Sequence, residues 1–169
     1  MQRRNGVTVA GFALALSAFW PMSTASAAAA PATSPAALPE CNSARWNHVG
    51  NHNVGGRIYS YRYVPVDSPG NLDCVRAAKP IQSSLSIGAI QNMLRRCYNQ
   101  SIDLDWVFGP ATTAALRNAQ TWARVAENQP QVRTDGIYGP ITRDGLRWPI
   151  YRDQTRIELA EEFICRRIG

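Results

Sequence analysis

The chain has 169 residues, 18 basic and 12 acidic side chains and a formal charge of +6. The positive charge is scattered arginine with one lysine, Lys79, and no dense basic run, so the expected reading is a solvated surface rather than a nucleic-acid-binding face. Beyond the first 20 residues no apolar stretch approaches bilayer-spanning length, so no stable membrane insertion of the mature chain is expected.

Arg3 and Arg4 precede an apolar run from Val7 to Trp20 that is too short to cross a bilayer. Pro21 and small residues ending in Ala25-Ser26-Ala27 follow. This order predicts a secretory signal peptide over 1–27, with an N-terminal membrane anchor as the weaker alternative. The paired arginines are compatible with twin-arginine as well as general export. Residues 28–40 are rich in Ala and Pro without periodicity and read as a linker. About 130 residues remain, enough for one compact domain. Cys41, Cys74, Cys97 and Cys165 all lie in that part. An even number of cysteines in an exported chain predicts two disulfides, and four cysteines allow three pairings. Cys74–Cys97 with Cys41–Cys165 is favoured, because it clips a local loop and ties the domain's ends together.

Residues 41–80 read as a β/irregular segment. Cys41 to Asn53 is rich in Asn, Gly and His and is expected to be irregular. Arg57 to Val66 reads as a strand with Tyr59, Tyr61 and Tyr63 on one face, and Pro65 suggests a sheet edge or the strand's end. Asp67-Ser68-Pro69-Gly70-Asn71 is a turn cluster. Residues 81–150 read as helical. Ser86 is placed as a cap, followed by Ile87, Ile90, Leu94 and Cys97 as a buried stripe. Thr112, Ala115, Leu116, Ala119, Trp122 and Ala123 form a second stripe. Residues 151–169 read as a last helix, with Thr155 and Glu158 spaced as a capping box and Ile157, Ala160 and Ile164 as its stripe.

An internal repeat links the helices. Asp105-Trp106-Val107-Phe108-Gly109-Pro110-Ala111-Thr112 recurs 30 residues later as Asp135-Gly136-Ile137-Tyr138-Gly139-Pro140-Ile141-Thr142, and Leu116 and Leu146 keep the same offset. In each copy the Asp opens a tight turn by bonding nearby amides. The aromatic residue is an apolar plug. Gly-Pro then starts a helix, since proline's preset angle and missing N–H suit the first helical position. The Thr is placed to satisfy free first-turn amides.

These residues, with Ile87-x-x-Ile90-Gln91-x-x-Leu94 before them and Ala119-Gln120 between the copies, resemble the three-helix peptidoglycan-binding domain attached to many bacterial wall hydrolases. The resemblance covers roughly Ile81 to Pro149. It implies a mainly α fold: a small three-helix peptidoglycan-binding-like module with a short N-terminal β/irregular segment, stapled by disulfides. Two departures stand out. Trp106 occupies a position the family usually gives to Gly, which opposes a left-handed backbone angle there. Ala119 replaces the usual Phe, a loss of core volume that Trp122 is expected to restore.

The resemblance implies a secreted, non-catalytic, monomeric protein, extracellular or wall-associated, that binds peptidoglycan through its glycan strand or stem peptide. The expected ligand site is a groove around Trp106, Thr112, Asp135 and Tyr138, with the tyrosine face of residues 59–63 as the alternative. A small wall-active hydrolase, or a secreted protein-binding or inhibitor protein on the same module, is the competing reading. No cofactor is expected. His48 and His52 are spaced i, i+4 but sit among glycines that oppose a helix, so they read as loop histidines rather than metal ligands. Asp103 and Asp105 lie within one turn, and Asp105 already has a role in the repeat, so no catalytic dyad is expected.

Overall fold

The computed structural model describes residues 37–77, 83–154 and 156–167. The expected signal peptide, nearly all of the linker, residues 81–82 at the entry to the helical region and the capping Thr155 lie outside them. Seven elements follow in order: β1 (Ser43–Val54), β2 (Arg57–Val66), α1 (Leu85–Tyr98), α2 (Pro110–Ala126), α3 (Pro140–Gly145), β3 (Trp148–Tyr151) and β4 (Phe163–Arg166). The strands form one antiparallel sheet in the order β1-β2-β3-β4. This overturns the mainly helical expectation: among the described residues three helices pack with a four-stranded sheet rather than forming the module alone.

The sheet arises where the sequence signals were weakest. Gly55 and Gly56, with φ of +60° and +80°, make the two-residue turn that joins β1 to β2. Pairing then runs from Val54↔Arg57 to Ser43↔Val66, with a register shift between His48 and His52. The stretch expected to be irregular is therefore a strand, because β2 satisfies its backbone groups despite its Asn, His and Gly content. Residues 163–166 also pair as a strand, with β3, where a helix was expected. Ile157 and Ala160 are buried as that helix stripe required, but Ile157 lies in a turn and Ala160 just after it, outside any helix, and Leu159 is 72% exposed.

The expected disulfide pairing is likewise corrected. Cys41 bonds to Cys74 and Cys97 to Cys165. Cys41 and Cys74 meet because the Cys41 N–H donates to the Val75 carbonyl (2.9 Å) and the Val75 N–H to that of Pro39 (2.9 Å). Cys97, in the last turn of α1, fastens that helix to β4.

The core joins both layers. Ile87, Ile90, Met93 and Leu94 of α1 and Ala115, Leu116, Ala119 and Ala123 of α2 pack with Val64 of β2, Trp148 of β3 and the plugs Phe108 and Tyr138. Ser86 does not cap α1. It lies inside the helix, fully buried, with its hydroxyl donating to the Cys41 carbonyl (2.8 Å), while Ser84 stands at the cap position. Trp122 does not refill the core beside Ala119: it is 57% exposed on α2.

Each copy of the repeat is a turn feeding a helix that starts at proline, Pro110 or Pro140. The two are built by the same bonds. In the first, Gln91 Oε1 accepts from the Trp106 N–H (2.9 Å). Its Nε2 donates to Asp105 Oδ1 (2.6 Å), the Val107 carbonyl (3.0 Å) and Thr112 Oγ1 (3.0 Å). In the second, Gln120 Oε1 accepts from the Gly136 N–H (2.8 Å), and its Nε2 donates to Asp135 Oδ1, the Ile137 carbonyl and Thr142 Oγ1 at 2.9–3.3 Å. Asp105 and Asp135 also accept from the Val107 and Ile137 N–H groups, each at 2.9 Å. A buried amide from the preceding helix thus closes each turn. Thr112 and Thr142 do not cap: their hydroxyls donate back to the Val107 and Ile137 carbonyls.

Candidate functional site

The four residues expected to form the ligand groove have different fates. Tyr138 is fully buried, its ring edge-on to Trp148 with centroids 6.1 Å apart. Thr112 is 3% exposed and bonded within the first turn. Asp135 is exposed, but its carboxylate is committed to its own turn and to Gln120. Trp106 alone of the four presents an indole that is half-buried and borders a cleft.

Trp106 takes φ of +63°, matching Gly136 at +74° in the second copy. The left-handed angle is therefore adopted despite the side chain, because the surrounding turn and the bond to Gln91 fix it. Room for the indole comes from α1. A Cβ on Gly88 would stand 1.9 Å from one ring carbon of Trp106 and 2.0 Å from another, so the ring lies directly on the bare helix backbone.

That placement makes Trp106 one wall of a cleft of about 280 Å³, with Leu85 beside it, Trp46 and Tyr63 from the sheet, and Gln154, Arg156, Ile157 and Glu158 from the loop before β4. Trp46 and Tyr63 are register partners on β1 and β2, so their side chains share a face. Their rings stand 5.1 Å apart, and Tyr151 of β3 meets Trp46 edge-on at 5.5 Å. Burial and the nearby Glu158 carboxylate push the Tyr63 phenol up from its ordinary value. Arg156 and Glu158 give this wall both signs of charge.

The cleft continues in two directions. One arm shares Ile157 and Glu158 and adds Asn92, Arg95, Arg96 and Leu104; the other shares Leu85 and Trp106 and adds Ser83, Ser84 and Asp105. Arg96 is positioned by the Phe163 ring, 4.9 Å below its guanidinium. Asp105 is held below the usual carboxylate range by the Gln91 amide and the Val107 N–H. The result is a groove with aromatic walls at its middle and basic side chains at one end. Aromatic walls with a few polar and charged groups beside them suit a ligand carrying both ring faces and charges.

Sequence reasoning named the tyrosine strand as an alternative site, and Tyr63 belongs to the cleft. It did not place Trp46, Gln154, Arg156, Ile157 or Glu158 there. The Gly55-Gly56 pair was the available signal for Trp46, because a two-residue turn there sets the hairpin that brings β1 against β2. His48 is exposed on β1, its ring 5.3 Å from that of Tyr61, and among the described residues no group of three or more His, Cys, Asp or Glu is placed to hold a metal ion. Also among the described residues, no helix is long and apolar enough to cross a membrane. Comparison with family models, curated proteins and solved structures finds no match to this chain.

Proposed function

We propose that this chain is an exported, non-catalytic protein that binds bacterial cell-wall peptidoglycan in the cleft between Trp46, Tyr63 and Trp106. The observation that carries the reading is the convergence of these three aromatic side chains, from β1, β2 and the first repeat turn, on one cleft flanked by Arg156 and Glu158. Aromatic faces suit the apolar faces of sugar rings, and paired opposite charges suit the amino and carboxylate groups of a stem peptide. Two disulfides support a destination outside the reducing cytoplasm, extracellular or at the wall. Binding without cleavage fits the carboxylates of the groove. Among the described residues Glu158 is the one acid lining the central cleft, and the neighbouring Asp105 is spent on Gln91 and its own turn. Glycoside hydrolysis ordinarily requires two carboxyl groups flanking the scissile bond.

The test is co-sedimentation of the mature, oxidised protein with purified insoluble peptidoglycan. Wild type is expected in the pellet, displaced by soluble muropeptides, and Trp46→Ala is expected to shift to the supernatant while keeping its melting transition. Wild-type protein that stays in the supernatant overturns the reading. A clearing zone on a wall-containing gel overturns its non-catalytic part.

A further inference from the structure

A second aromatic surface lies elsewhere on the molecule and shares no lining residue with the cleft. Trp122 of α2 is 57% exposed, the largest side chain among the exposed hydrophobics. Its indole N–H donates to Glu127 Oε1 (3.2 Å). Glu127 is itself anchored, with only 4% of its side chain exposed and ion pairs to Arg147 (2.6 Å) and Arg167 (2.7 Å). The indole is thus held at its polar edge by a fixed carboxylate, which leaves a face for contact. Asn118 precedes Trp122 by one helical turn and therefore stands beside it. Its amide donates to Gln100 Oε1 (3.1 Å), and the Gln100 amide donates to the Tyr98 carbonyl (2.8 Å). The Tyr98 hydroxyl accepts from the Arg147 N–H (2.7 Å). Trp122, Asn118, Gln100, Tyr98 and Arg147 line a concavity of about 510 Å³ beside Cys97, within the range of small-ligand pockets.

We infer that this concavity is a second binding site and that its ligand is a pyranose ring. The chemistry is specific to that class. A pyranose presents a C–H face that an indole face covers, and hydroxyl or acetamido groups at its rim that planar amides and a guanidinium can bond. Trp122 supplies the first, and Asn118, Gln100 and Arg147 supply the second. The amides are already linked, so little side-chain freedom remains to be lost on binding. Lacking deep enclosure, such a site binds one ring weakly. Its effect would come through a polymer, where a second contact on the same strand raises the effective concentration at the first. The inference does not rest on the identity of the cleft's ligand.

The experiment is a titration of the isotope-labelled mature protein with tetra-N-acetylchitotetraose, observing the indole N–H signals. The Trp122 signal is identified by its disappearance in Trp122→Phe. It is expected to shift to saturation, to do so equally in Trp46→Ala, whose cleft is disabled, and to require roughly fivefold more saccharide in Asn118→Ala, the effect of losing one hydrogen bond. A Trp122 signal that stays in place overturns the inference. So does a shift that vanishes in Trp46→Ala, since Trp122 would then only report the cleft. A signal that follows protein concentration instead of saccharide also overturns it and identifies the surface as a contact between copies of the chain. Failure of wall co-sedimentation with a saturating Trp122 shift would sink the cleft reading and leave this one standing.

Discussion

Replacing Gly88 by Ala should destabilise the protein, although the same change in most helix interiors is favourable by about 0.8–1.0 kcal/mol. The three atoms nearest to a Cβ at position 88 all belong to the Trp106 ring, at 1.9, 2.0 and 2.7 Å. No small adjustment accommodates such distances, so the indole must leave the helix. A tryptophan covers about 200 Å² when fully buried. Half of that, at about 25 cal/mol per Å², is worth about 2.5 kcal/mol. Set against the helix-propensity gain, the net loss for Gly88→Ala is about 1.5 kcal/mol. Trp106→Gly forfeits the same burial but relieves the left-handed angle of +63°, a gain of about 1 kcal/mol. Its net loss is also about 1.5 kcal/mol. In the Trp106→Gly background the obstacle is gone, and Gly88→Ala should become stabilising by about 1 kcal/mol. The double-mutant cycle therefore carries a coupling of about 2.5 kcal/mol, well outside the limits of additivity for independent sites. Urea unfolding of the four proteins measures it. If Gly88→Ala stabilises the wild-type protein by its propensity alone, the indole does not lie on α1, and the cleft loses the wall that Trp106 provides.

Two further predictions concern the repeat and the cross-links. Asp105 contributes stability above the ordinary carboxyl pKa of about 4 and loses it as pH falls through its lower folded value, because the Gln91 amide and the Val107 N–H favour the charged form. Gln91→Glu should invert that dependence: a second carboxylate 2.6 Å from Asp105 Oδ1 destabilises the turn at neutral pH, and acid restores it by protonating one of the pair. Melting temperatures between about pH 7 and pH 3 check this, and a variant whose stability falls with acid as the wild type's does would refute the amide's assigned role. Peptide mapping without reductant should return Cys41–Cys74 and Cys97–Cys165. Replacing Cys97 and Cys165 together by Ser should cost about 4 kcal/mol, since that bridge closes a separation of 68 residues; recovery of a Cys74–Cys97 peptide would overturn the pairing.

The parts of the fold legible in sequence were those fixed by local rules. The proline-started helices, the plugs Phe108 and Tyr138, and the apolar stripes of α1 and α2 follow from turn chemistry and helical spacing, and they lie where that spacing puts them except Trp122, which faces out from α2. The sheet was not legible because its causes are distant in sequence. β1 is rich in Asn, His and Gly, which disfavour strands, and it is a strand because β2 faces it. Residues 157–164 repeat apolar side chains at intervals of three and four, which a helix requires but which a buried turn running into a strand also produces. The cysteines show the same limit, since four positions do not encode which segments meet.

The site was hidden by a related cause, visible in Gln91 and Gln120. The Asp-to-Asp period is 30 residues, and adding it to Gln91 lands on Thr121 rather than on Gln120. The two glutamines perform the same bonds from positions out of register by one, so alignment of the copies does not pair them, and their common role appears only in the geometry of the two turns. Trp106 carries the same lesson. Read along the chain, it is a tryptophan where the turn calls for glycine, and so an obstacle. In the folded protein the missing space is provided by Gly88, a glycine inside a helix that costs about 1 kcal/mol relative to alanine and has no local reason to be there. Two residues that each break a local rule explain one another, and together they place an aromatic wall beside Trp46 and Tyr63. A pair of compensating violations of this kind, at the edge of a cleft, is what a functional constraint on the sequence looks like.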